Sequence, residues 1–73
     1  MLSVTEALYR NPGVCHEYHL NDGSTVIERP SLPLSSRWQF WSSMNQRIYK
    51  KASQTEMKAA VERHKKNGDV NNG

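Results

Sequence analysis

The chain is poor in the residues that build chemical sites. Cys15 stands alone among 73 residues, so no internal disulfide can staple the fold. A single thiol fits a reducing compartment. The four glycines lie far apart, at 13, 23, 68 and 73, which excludes a glycine-rich phosphate loop. No apolar run approaches the roughly 18 residues of a membrane span. The opening MLSVTEALYR lacks the basic start and long apolar stretch of a secretory signal. The expected location is therefore cytoplasmic, without membrane contact. Large aliphatics are scarce as well. Leu, Ile, Val and Phe fill thirteen of 73 positions, near the range of disordered chains.

What is present points to a folded but thin-cored domain. Two Trp, three Tyr and three Met add buried area, since each aromatic covers roughly 150–250 Å². A chain this short still buries only about 60% of its unfolded surface. The expectation is one domain over residues 1–67 with a flexible tail over 68–73, or a chain that completes its core as a homodimer.

The net charge of +3 is unevenly spread. Residues 1–30 hold four carboxylates against two arginines, a net −2, whereas residues 31–73 hold eight basic against three acidic residues, a net +5. Such asymmetry suggests a basic working surface on the second half. The plainer alternative is a set of solvated helix faces.

Local signals divide the chain into elements. Ser3-Val4-Thr5-Glu6 reads as a capping box, with Leu2 placed to staple on Ala7, which predicts a short helix over 4–10. Asn11-Pro12-Gly13 ends it. Val14, His16, Tyr18 and Leu20 then alternate with Cys15, Glu17 and His19, the period of a half-buried strand. Asn21-Asp22-Gly23 is a turn, and Thr25-Val26-Ile27 is strand-prone. A two-residue turn would oppose Glu17 and Glu28, which repel. A three-residue loop with a left-handed Gly23 instead opposes His16 with Glu28 and Tyr18 with Val26. The second register is preferred, with Val14, Tyr18 and Leu20 facing inward.

Arg29 to Pro33 reads as a linker. Its Pro30-x-x-Pro33 spacing could also present one polyproline turn to an aromatic groove. A second capping box, Ser36-x-x-Gln39, precedes Trp38, Trp41, Met44 and Ile48, which recur at three- and four-residue steps as on one helix face. A third, Ser53-x-x-Glu56, precedes Met57, Ala60, Val61 and His64 at helical spacing, and Asn67-Gly68 reads as the stop. At about 100° per residue the two stripes point to nearly opposite sides, so a break is expected between Lys51 and Ser53. The predicted fold is α+β, order α-β-β-α-α, with a two-stranded antiparallel hairpin packed on a helical hairpin. The tryptophans go into the core, while Phe40 and Tyr49 lie at the flanks of their stripe and remain exposed. A long unbroken helix with a dimer partner is the runner-up.

Chemistry is sparse. Cys15, His16 and His19 stand near one another, but zinc requires three or four converging ligands. On a strand His16 points away from the other two. No metal, no cofactor and no catalytic residue is therefore assigned. The basic residues Arg47, Lys50, Lys51, Lys58, Arg63, Lys65 and Lys66 are the candidate nucleic-acid contacts. Lysines near a helix C-terminus also complement the dipole and need no partner. Gln54, Lys58 and Asn45 are candidates for reading bases. A helix-turn-helix fits poorly, because the junction Lys-Lys-Ala-Ser has no glycine. A ribbon-helix-helix order would need Thr25 to Arg29 as its strand, which the hairpin already uses.

The functional expectation is thus a non-catalytic small interaction protein. The first reading is a DNA-associated accessory or regulatory protein using the basic second half. The alternative is an inhibitor or adaptor that binds a host protein through Phe40, Tyr49 and the hairpin face, of the kind mobile elements carry.

Overall fold

The computed structural model describes residues 1–10 and 15–72, without side-chain detail for Arg10 and residues 68–72. Four strands, β1 (Val4–Arg10), β2 (Cys15–Leu20), β3 (Thr25–Glu28) and β4 (Trp38–Trp41), form an antiparallel sheet in the order β1-β2-β3-β4. One helical turn, α1 (Leu34–Arg37), precedes β4, and a long helix, α2 (Lys51–Asn72), packs across one face of the sheet. The domain is α+β with a C-terminal helix, and its element order is β-β-β-α-β-α rather than α-β-β-α-α. No helix among the described residues is long and apolar enough to cross a membrane.

The hairpin follows the preferred register. His16 opposes Glu28 and Tyr18 opposes Val26. Gly23 adopts φ +90, and its amide donates to the Leu20 carbonyl at 3.0 Å. The Asp22 carboxylate accepts from the Ser24 amide at 3.0 Å and from the Ser24 hydroxyl, which holds the loop closed and lowers the Asp22 pKa. Tyr18 and Leu20 face inward as expected, whereas Val14 and the Asn11-Pro12-Gly13 stop lie outside the described residues.

The predicted helix over 4–10 is strand β1. A two-turn helix gains little alone, and this segment has a better partner. Asn21 clamps its start: Asn21 Oδ1 accepts from the Ser3 amide at 3.1 Å, and Asn21 N donates to the Ser3 carbonyl at 2.9 Å. The Thr5 hydroxyl donates to the His19 carbonyl at 3.2 Å, beside an irregularity in pairing between Val4 and Glu6. Tertiary pairing thus overrides the local capping signal.

The aromatic segment Trp38–Trp41 is also a strand, so the described residues form no helical hairpin. Trp38 and Phe40 point to the helix side at period two, and their rings stack at 6.2 Å with 10° between planes. Phe40 is buried, which overturns its assignment as an exposed contact. Aromatics suit a pleated, half-buried surface. The i, i+3 recurrence of Trp38 and Trp41 is incidental, since the two indoles lie on opposite faces of β4. After β4 the chain reverses through Ser42, whose hydroxyl accepts from the Met44 and Gln46 amides at 3.2 Å. Asn45 takes the left-handed conformation, φ 64. Arg47 then bridges back to Trp41, and the Ile48 amide donates to the Phe40 carbonyl at 2.8 Å.

α2 begins at Lys51, with the Gln54 amide bonded to the Lys50 carbonyl at 3.0 Å, and continues through Gly68 to Asn72. Its start precedes the Ser53 box, and its end overruns the expected stop. The apolar stripe is the predicted one: Met57, Ala60 and Val61 are buried against Tyr18, Leu20, Val26 and Phe40. That single layer between sheet and helix is the core.

Candidate functional site

Among the described residues no helix packs on the opposite sheet face. By strand alternation that face holds Cys15, Glu17, His19, Ile27, Gln39 and Trp41. His19 Nε2 meets Glu17 Oε2 there at 2.6 Å. His16 is on the other side, as expected for a strand, and among the described residues no three His, Cys, Asp or Glu side chains are grouped to hold a metal ion.

The most distinctive surface is a groove between α2 on one wall and α1 with β4 on the other. It encloses about 470 Å³ and is lined by Ser35, Trp38, Arg47, Lys51, Thr55 and Lys58, with Leu34, Phe40 and Gln54 completing its walls. That volume falls in the range of small-ligand clefts, about 300–1,000 Å³. Lys58 follows Lys51 by seven positions, close to two helical turns, so both point the same way about 10.5 Å apart along the axis. Thr55 stands between them on the same stripe. Gln54 Nε2 donates to the Ile48 carbonyl at 2.9 Å and ties the loop before α2 to the helix wall.

The groove is cationic without compensation. None of its lining residues is acidic. Among the described residues Arg47, Lys51 and Lys58 have no carboxylate within ion-pair distance. Two of them rest on aromatic rings instead. Lys58 Nζ lies 5.0 Å from the Trp38 ring centroid. The Arg47 guanidinium lies 5.3 Å from the Trp41 centroid and 5.4 Å from that of Tyr49. Each ring attracts the cation through its quadrupole and holds it in place without cancelling its charge.

The seven basic residues expected from sequence do not form one surface. Arg47, Lys51 and Lys58 converge on the groove. Lys65 is committed elsewhere, with Nζ at 2.8 Å from Glu28 Oε1 and 5.3 Å from the Trp38 centroid. The Arg63 guanidinium donates to the Leu2 carbonyl at 2.6 Å, fastening the N-terminus to α2. Lys50 and Lys66 are exposed and outside the groove lining. Of the proposed base readers, Gln54 is spent on the loop, and Asn45 sits in the reversal after β4. Tyr49 is exposed, as expected.

Trp38, Ser35 and Thr55 were not assigned from sequence. A signal existed for the helix wall: Lys51, Lys58 and Lys65 recur at seven-residue steps, which marks one flank of a helix. No such signal marked Trp38, because its role follows from β4 being a strand.

A second cluster lies under the helix. Glu28 is 7% exposed and faces Lys65, the Tyr18 hydroxyl at 3.5 Å and His16 Nδ1 at 3.8 Å. Burial, followed by the nearby Glu28 charge, pushes the Tyr18 hydroxyl pKa well above its usual range. His64 packs its ring edge on Tyr18 at 6.0 Å. These contacts join helix to sheet.

Neither protein-family models, nor curated proteins, nor solved structures give a match to this chain. The functional reading therefore rests on the groove itself.

Proposed function

We propose that this chain is a non-catalytic nucleic-acid-binding protein, of accessory or regulatory kind, whose groove between α2 and β4 contacts the phosphate backbone. The supporting observation is the convergence of Arg47, Lys51 and Lys58 on a concave surface that no acidic side chain lines. Ammonium and guanidinium groups with no carboxylate partner favour polyanions, and phosphate contacts supply most sequence-independent affinity. Arg47 supplies a planar fork suited to two phosphate oxygens.

The test is fluorescence anisotropy with labelled oligonucleotides across a salt series. Three phosphate contacts give a log–log salt slope of about −2 to −3. Lys51→Glu with Lys58→Glu abolishes binding at low salt, whereas Lys66→Glu, outside the groove, leaves most of it. Equal losses in the groove and control variants would reduce the interaction to net charge. No binding at low salt would end this reading.

The reading as an adaptor for a host protein keeps Tyr49, which is 74% exposed, and loses Phe40 to the core. A pull-down with and without nuclease separates the two, because a protein partner survives digestion of nucleic acid.

A further inference from the structure

From a cationic groove with an exposed ring, Tyr49, beside its Arg47 we infer that its ligand is a single strand rather than a duplex, with a base stacked on that ring. The inference rests on the nucleic-acid reading above and makes it more specific.

A groove that binds single strands combines two things: positive charge to follow the backbone, and ring faces on which bases stack whatever their sequence. Both occur here in contact. Arg47, which lines the groove, lies over Tyr49, whereas the Trp38 ring is already covered by Phe40, Lys58 and Lys65. Tyr49 is 74% exposed, so most of its ring is open to a base while Arg47 stays beside it. A strand running past Lys51 and Lys58 would place its phosphates on the helix wall and a base on Tyr49.

The same geometry disfavours a double helix. Duplex readers insert an exposed helix or ribbon into a major groove about 12 Å wide. The exposed side of α2 is of mixed charge, with Glu56 and Glu62 beside Arg63 and Lys66, so it offers a duplex no uniformly basic face. The unpaired cations lie instead inside a cleft of about 470 Å³. A single strand can follow that cleft and lay a base on Tyr49, whereas a duplex keeps its bases paired and stacked away from the ring.

Anisotropy at one fixed salt concentration, with oligo-dT, oligo-U and a duplex of equal length, about 12 nucleotides, tests the inference. Both single strands are expected to bind at least tenfold more tightly than the duplex. The tighter of the two identifies the sugar the groove favours, and either order supports a single strand. Tyr49→Ala weakens single-strand binding by about tenfold, the effect of one stacked base, and leaves duplex binding unchanged. Tyr49→Phe retains wild-type affinity. Because Tyr49 is a surface residue, a thermal melt of each variant shows whether the fold is intact. Equal or tighter duplex binding overturns the inference and leaves the backbone-contact reading standing. Failure of all three probes to bind overturns both.

Discussion

Lys65 Nζ stands 2.8 Å from Oε1 and 3.0 Å from Oε2 of Glu28, joining the late turns of α2 to strand β3 with a single ammonium. Glu28 is buried, and a carboxylate removed from water needs its countercharge. Removing the partner should therefore cost more than removing the pair. Lys65→Met is expected to destabilise the fold by about 2 kcal/mol, since the buried charge loses its main partner. For a domain this size that is a fall of roughly 8–16 °C in Tm. Glu28→Leu with Lys65→Met should recover much of the loss. Thermal melts of the wild type, the single variant and the pair check this, and a neutral Lys65→Met would show that water already satisfies Glu28.

Gly23 is constrained twice. Its φ of +90 is one that side chains rarely adopt, and an added Cβ would stand 3.0 Å from the Cβ of Ser43. Gly23→Ala is expected to destabilise by about 1–2 kcal/mol through backbone strain alone. Gly23→Ala with Ser43→Gly relieves the contact but not the strain. Chemical denaturation of both should therefore show only partial recovery in the double variant.

Phe40 and Tyr49 should separate cleanly. Phe40 is 6% exposed within the core, and Phe40→Ala is expected to cost about 3–5 kcal/mol, enough to unfold much of so small a domain. Tyr49→Ala should change stability by less than about 0.5 kcal/mol, as surface changes usually do. Circular dichroism melts distinguish them. Similar losses at the two positions would mean that the aromatic segment is not a strand.

Tyr18 gives the fold an alkaline limit. Its hydroxyl is held protonated above its ordinary pKa, first by burial and then by the charge of Glu28. With the folded value raised, the contribution to stability is complete below the unfolded value near 10 and declines as pH rises beyond it. Unfolding monitored between pH 9 and 12 should show a loss that Tyr18→Phe reduces. A Tyr18→Phe variant with the wild-type alkaline profile would assign that loss to the other tyrosines or to lysine deprotonation.

Much of this fold was legible wherever neighbours in sequence are also neighbours in space. The hairpin register followed from the Glu17–Glu28 repulsion and the Gly23 turn, and the apolar stripe Met57, Ala60 and Val61 announced the helix. Two segments misled, both for the same physical reason. Residues 4–10 carry a helix-capping pattern, and 38–48 carry a helical aromatic stripe, but 4–10 and 38–41 become sheet edges because β2 and β3 offer backbone partners there. Pairing between segments is not written in local periodicity. The groove inherits that blindness. Its lysines were legible as basic helix residues, whereas Trp38 joined them only once β4 lay beside α2. Phe40 moved from surface to core for the same cause, since period two rather than 3.6 decides which side of Trp38–Trp41 is buried.

A two-dimensional amide correlation spectrum of the labelled protein, recorded during titration with oligo-dT, tests the binding site most directly. The expected shifts concentrate at Trp38, Arg47, Tyr49, Lys51, Thr55 and Lys58, with the Trp38 indole N–H among them. Shifts concentrated instead on Glu62, Arg63 and Lys66, or on the uncovered sheet face at His19 and Ile27, would contradict the groove as the binding site.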